Sequence, residues 1–122
     1  MERLSVQGLG GVVIFADQAD RLAAWYEKHL GIFFNREPDS HEWRARLPGQ
    51  VSFSINQTKH PIGSGRRHCE TSWAVEDLDE FIEKLAEEGL TIEERQEGPE
   101  GDFAWLNDPE GNRIELFQRQ EG

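Results

Sequence analysis

Cysteine, methionine and tyrosine occur once each among 122 residues, and basic side chains are outnumbered 24 to 13 by acidic ones. With Cys69 alone, no intrachain disulfide and no thiolate zinc cluster can form. The shortage of positive charge leaves a formal net charge of −11, which repels a phosphate backbone, so nucleic acid is not an expected partner. No apolar run approaches the roughly 18 residues needed to span a bilayer, which argues against a membrane partner. Met1-Glu2-Arg3-Leu4 opens without the apolar stretch of a secretory signal, and the expected location is the reducing cytoplasm.

What is present reads as one globular domain over residues 1–122. A 36% hydrophobic and 10% aromatic content is enough to bury a core, and the length does not allow two full-sized domains. The acidic surface favours solubility and would draw in a cationic ligand.

The chain repeats itself. Val12 to Ala16 is a β-branched, aromatic-rich run that predicts a buried strand, and Asp17 is placed to cap a helix from about Gln18 to His29. Leu22, Tyr26 and Leu30 fall on one face of that helix, with Ala19 and Ala23 beside them, and Gly31 ends it. The second half follows the same plan. Thr71 to Val75 is a strand, Asp77 with Glu80 makes a capping box, Leu78, Phe81, Ile82 and Leu85 form the apolar stripe, and Gly89 stops the helix. Setting Ala16 on Val75 also sets Asp20 on Asp79 without a gap.

Three strands are expected after each helix: Ile32–Arg36, Glu42–Leu47 and Val51–Asn56 in the first half, Leu90–Arg95, Phe103–Asn107 and Arg113–Gln118 in the second. Pro48-Gly49 and Pro109-Glu110-Gly111 supply the turns. The order is βαβββ, linker, βαβββ, with module one at about 8–57, the linker at about 58–67 and module two at about 68–120. The predicted class is α+β: two βαβββ modules forming a curved mixed-sheet cleft, with the helices on the outer face.

That order resembles the vicinal oxygen chelate superfamily, which includes glyoxalase I, extradiol dioxygenases and bleomycin-resistance proteins. The resemblance is carried by Asn107-Asp108-Pro109-Glu110-Gly111-Asn112-Arg113-Ile114-Glu115-Leu116 and by Ala24-Trp25-Tyr26-Glu27-Lys28-His29-Leu30-Gly31 at the end of the first helix. It implies a small-molecule cleft and, in metal-dependent members, one ligand on each of four strands, usually His, Glu, His and Glu. Carried over by position, these fall on Gly11, on Ser52 or Ser54, on Glu70 and on Glu115. Only the last matches, and no carboxylate occurs between Pro48 and Gln57.

Strand alternation turns Glu115 away from the side of Ile114 and Leu116, and Glu70 away from that of Thr71 and Trp73. Val51, Phe53 and Ile55 do the same for Ser52 and Ser54. Two carboxylates in one cleft repel, so a raised pKa is expected at one of them unless a cation or an arginine joins them. His68 lies two residues before Glu70 and could add a ligand or a base, although an exposed strand-end histidine is the blander expectation. Phe15, Trp43 and Trp105 are expected as aromatic walls for a planar ligand, or else as core and interface packing. His29 suits a helix C-terminus, His41 and His60 sit in loops, and Cys69 is expected to be a buried, inert thiol.

Three readings stay open, in this order. The first is a metal-free protein of the bleomycin-resistance kind, binding a small cationic or aromatic molecule, with no cofactor and a degenerate metal site. The second is a lyase, isomerase or dioxygenase using a divalent metal ion held by Glu70, Glu115 and His68. The third is metal-free acid/base chemistry between Glu70 and Glu115. A chain this short leaves sheet faces or edges partly covered, and relatives of this size are commonly dimeric, so a homodimer is expected.

Overall fold

In the computed structural model, which describes residues 4–63 and 69–120, each half of the chain pairs its first strand with its last. The halves form two compact units, Met1–Ile62 and Gly63–Gly122. The boundary falls inside the expected linker, of which residues 64–67 lie outside the described residues, as does residue 68.

The first unit comprises β1 (Gly11–Ala16), α1 (Ala19–Leu30), β2 (Glu42–Leu47) and β3 (Val51–Gln57). Its sheet has the order β1-β3-β2, with β1 parallel and β2 antiparallel to the central β3. The second comprises β4 (Glu70–Ala74), α2 (Leu78–Glu87), β5 (Glu94–Gly98), β6 (Gly101–Asn107) and β7 (Arg113–Arg119), in the order β4-β7-β6-β5. Here β4 runs parallel to β7, and the other pairings are antiparallel. Parallel pairing of first and last strands requires a crossover, and the helix supplies part of it in each unit. This is an α+β fold of βαβββ modules. Among the described residues, no helix is long and apolar enough to cross a membrane.

Each helix covers one face of its own sheet. In the first unit Leu22, Ala23 and Tyr26 are buried with Ile14, Phe53 and Ile55, and the Tyr26 and Phe53 ring centroids lie 5.3 Å apart. In the second, Leu78 and Leu85 are buried along with Ala104, Leu106, Ile114 and Leu116. Period-2 alternation along β3 and β7 therefore assigns Phe53, Ile55, Ile114 and Leu116 to the helix side and leaves their neighbours on the other.

The expected strand at Ile32–Arg36 reduces to one bridge, Asn35 with Arg44. Gly31 in the left-handed region and a tight turn at Asp39 (φ 65°) close in the segment, and little of it is left to pair. The expected strand at Leu90–Arg95 begins only at Glu94. Leu90 is used instead to close α2, its amide donating to the Leu85 carbonyl at 3.0 Å. The strand that forms, Glu-Arg-Gln-Glu-Gly, is a charged edge strand, of a kind that discourages pairing with another sheet.

The N-cap position of α1 falls on Gln18, one residue after Asp17. The Asp17 carboxylate accepts from the Ile62 amide at 2.7 Å, and the Ala19 amide donates instead to Gln57 Oε1 at 3.0 Å. The second module repeats the device: the Leu78 amide donates to Gln118 Oε1 at 2.7 Å, beside the expected Asp77 cap on the Glu80 amide. In both units a glutamine from the last strand thus satisfies a free amide at the helix start, locking helix to sheet. This shared contact supports the internal repeat independently of the apolar pattern.

Candidate functional site

The repeat fixes which positions correspond. Val13 pairs with Ser54 across β1 and β3, and Ser72 pairs with Glu115 across β4 and β7. Likewise Gly11 pairs with Ser52 where Glu70 pairs with Arg113. With Ala16 set on Val75, Gly11 is the counterpart of Glu70 and Ser54 that of Glu115. Of the two serines left open by the sequence, Ser54 is therefore the one at a ligand-equivalent position, and Ser52 is the counterpart of Arg113.

In the first unit the face away from α1 carries Gly11, Val13 and Phe15 on β1, Ser52, Ser54 and Asn56 on β3, and Arg46, Arg44 and Glu42 on β2. Ser54 is buried, flanked in register by Val13 and Arg44. Gly11 is not a gap for a ligand to enter: a Cβ there would meet Ser52 Oγ and lie 2.8 Å from the Ser52 carbonyl oxygen. Glycine is required because two backbones approach closely. We expect Gly11→Ala to lower stability by about 1–3 kcal/mol, the usual range for forced overpacking, read as a fall in thermal midpoint. An unchanged midpoint would show that β1 can give way. Gly11→His, the obvious way to restore an imidazole ligand, meets the same obstacle.

In the second unit the face away from α2 carries Glu70 and Ser72 on β4, Arg113, Glu115 and Phe117 on β7, and Phe103 and Trp105 on β6. The Ser72 hydroxyl donates to Glu115 Oε2. Arg113 Nε lies 3.4 Å from Glu70 Oε1, and its Nη2 donates to Glu94 Oε2 at 2.9 Å. The guanidinium carbon also lies 5.4 Å from the Trp105 ring centroid. Phe103 stacks on Phe117 at 4.8 Å and on Trp105 at 5.8 Å, making a row of near-parallel rings beside Glu115. This row offers apolar area and ring faces on one side, with a carboxylate adjoining.

These residues are a poor donor set for a divalent ion. Gly11 offers nothing, and Ser54 offers a neutral hydroxyl. Glu70 faces a permanent cation in Arg113, and Glu115 is engaged by Ser72. A metal at Glu70 would have to share that carboxylate with the guanidinium at the cost of charge repulsion. Among the described residues, no group of three or more His, Cys, Asp or Glu side chains comes together as a metal site. His68 lies outside them. Arg113 thus pairs with Glu70 and with Glu94.

Trp105 shares a face with Glu115, whereas Trp43 does not join the surface expected of it. Trp43 pairs with Ile55, which pairs with Ile14, so it lies on the helix side, with Arg36 over its ring at 5.2 Å. Its strand alternation is opposite to the one a ligand wall needs. His29 is buried against Trp25 on α1, with their ring centroids 5.2 Å apart. Cys69 is half-buried, and burial, followed by the negative charge of Asp108, pushes its thiol pKa up, which suits an inert role. The residues that sequence reasoning passed over are Ser72 as a partner of Glu115, together with Arg113, Phe103 and Phe117. Their signal was available: alternation that turns Glu115 away from the helix also turns Arg113 and Phe117.

Comparison with known proteins gives a consistent outcome for the fold. The family model described as a glyoxalase-like domain matches residues 11–117. The chain is similar to lactoylglutathione lyase from Agrobacterium tumefaciens (TM-score 0.74, 16% identity, 93% of this chain and 94% of that one). It is also similar to a glyoxylase/bleomycin resistance protein/dioxygenase domain from Frankia (TM-score 0.77, 23% identity, 97% and 96%). A third similar structure is an antibiotic binding protein from Streptomyces (TM-score 0.77, 18% identity, 97% and 100%). No curated protein matches in sequence.

Proposed function

The chain belongs to the glyoxalase-like domain family, within the vicinal oxygen chelate superfamily, and we propose that it binds a small molecule without a divalent metal ion. The observation that carries this reading is that both carboxylates at the family's ligand positions are already engaged, Glu70 with Arg113 and Glu115 with Ser72. The fold does not choose a chemistry, since a lyase and an antibiotic binding protein share it at similar scores.

The row Phe117–Phe103–Trp105 suits a planar aromatic ligand, and Glu115 at its side suits a cationic group on that ligand. Ser72 would hold the Glu115 carboxylate in place through its hydroxyl. The net charge of −11 raises the local concentration of cations and so favours their encounter.

The reading is tested by titrating the protein with a planar aromatic cation such as N-methylquinolinium, following tryptophan emission, with and without EDTA. Saturable binding that ignores the chelator supports it. Binding that is lost with EDTA and restored by a divalent ion would favour the second reading. That reading is a metal-dependent lyase, isomerase or dioxygenase using Glu70, Glu115 and His68, and in its favour both carboxylates lie on one face of one sheet.

We also propose that the protein is a homodimer. Leu4, Val6, Leu9 and Phe33 are large apolar side chains with about two-thirds or more of their surface exposed, and burying them against a second copy would remove that area from water. Sedimentation velocity at high micromolar concentration should give twice the chain mass. A single monomeric boundary there would remove dimerisation from the account.

A further inference from the structure

The two units differ at one end of their sheets. Gln57 and Gln118 occupy equivalent places as helix caps, which makes Asn56 the counterpart of Phe117. Glu42 pairs with Asn56 as Phe103 pairs with Phe117. Where the second unit fills this end with two stacked phenylalanines, the first has two polar side chains and an open pocket of about 420 Å³. That volume lies within the range of small-molecule sites.

The pocket lies wholly within the first unit, and its lining points to a particular ligand chemistry. Phe15, 55% exposed, supplies an aromatic surface. Lys59, His41 and His60 also line it, residues that carry an ammonium and two imidazoles in a chain otherwise dominated by carboxylates. The one lining carboxylate, Glu42, is paired with Arg44 at 2.9 Å. Asn56 Oδ1 has no hydrogen-bond partner and almost no access to solvent, so a turn of this side chain into the pocket would let a ligand's donor satisfy it.

The rim is also held in place before any ligand arrives. The Gln57 amide donates to the His41 carbonyl at 2.9 Å, and the Thr58 amide donates to the Ala16 carbonyl at 3.0 Å. Thr58 Oγ1 donates to the His60 carbonyl at 2.7 Å and accepts from the His60 amide at 3.3 Å. The Ile62 amide donates to Asp17 at 2.7 Å. Both histidines therefore start from anchored backbones, which lowers the ordering cost of using their side chains.

We propose that this pocket is a second binding site, which takes a small aromatic carboxylate carrying a hydroxyl or amino group. The ring lies on Phe15, the carboxylate faces Lys59 and the imidazoles, and the ligand's donor reaches Asn56 Oδ1. The proposal does not depend on the reading of the Glu115 face, because its residues and its readout belong to the first unit alone.

The test is NMR of the histidine C2 protons during titration with 4-hydroxybenzoate, against the neutral comparator 4-hydroxybenzamide. The His41 and His60 signals, assigned by single glutamine substitutions, should shift saturably with a Kd in the millimolar range. The amide should bind about 10-fold more weakly, as should the acid to Lys59→Gln. Lys59 and His60 are exposed, so their substitution should leave the fold intact, which unchanged amide dispersion confirms. Absence of a saturable shift up to about 10 mM, equal binding of acid and amide, or full affinity in a Lys59→Gln/His60→Gln double variant would each overturn the proposal.

Discussion

Asp108→Ala should melt roughly 10 °C below the unmodified protein, reflecting a loss of about 3 kcal/mol. Asp108 and Asn112 are both buried, at 5% and 4% exposure, in the turn between β6 and β7. Asp108 Oδ1 accepts from the Glu110 and Asn112 amides, each at 2.9 Å, and Oδ2 accepts from Asn112 Nδ2 at 2.9 Å. The Asp108 amide donates to the Asn112 carbonyl at 2.9 Å, and Gly111 takes the φ of +90° that the turn requires. Alanine leaves three donors without this acceptor in a place with little access to water, and each costs about 1 kcal/mol or more. Asp108→Asn retains one carbonyl acceptor and should fall between the two. Thermal unfolding followed by circular dichroism decides the matter, and a shift under about 2 °C for alanine would show the turn to be held by other means.

The other large effect concerns binding. Trp105→Ala should weaken a planar aromatic cation by about 10- to 100-fold in calorimetric titration, since aromatic side chains dominate sites of this kind. The loss has two sources: removal of ring area beside Phe103, and release of Arg113 from the ring at 5.4 Å. Glu115→Gln should cost about 10-fold for the cation and little for a neutral ligand of the same shape. Equal losses for the charged and neutral ligands would mean that Glu115 acts through shape and not charge. Trp43→Ala serves as the contrast, because Trp43 lies on the helix side and should leave affinity unchanged.

Much of this was legible in the sequence. Apolar alternation in Val51–Ile55 and Arg113–Leu116 gave the correct facing of Phe53, Ile55, Ile114 and Leu116, and with it the placement of Glu115 on the other side. The repeat of Ala16 on Val75 was visible because both strands are followed by an amphipathic helix with an acidic first turn. What escaped has physical causes. Ile32–Arg36 looks like a strand by composition, yet pairing depends on the turn at Asp39, a tertiary matter. Asp17 is a good local cap, but Gln57, 38 residues from the amide it serves, wins the contact because the sheet delivers it there. Trp43 is a different case: its strand alternates charged Glu42, Arg44 and Arg46 with Trp43, Ala45 and Leu47, so its place on the helix side was readable from the alternation. The choice between Ser52 and Ser54 needed the pairings Val13–Ser54 and Ser72–Glu115, which no single strand reveals.

Elemental analysis of protein purified without added metal or chelator decides whether the metal site has degenerated. Measured beside an Arg113→Ala variant, which frees Glu70 of its cation, the unmodified protein should carry far less than one equivalent of any divalent transition metal. The variant should gain little, because Gly11 and Ser54 still offer no strong donor. Stoichiometric zinc, nickel, iron or manganese in the unmodified protein would contradict the account and move the weight to a metal-dependent reaction.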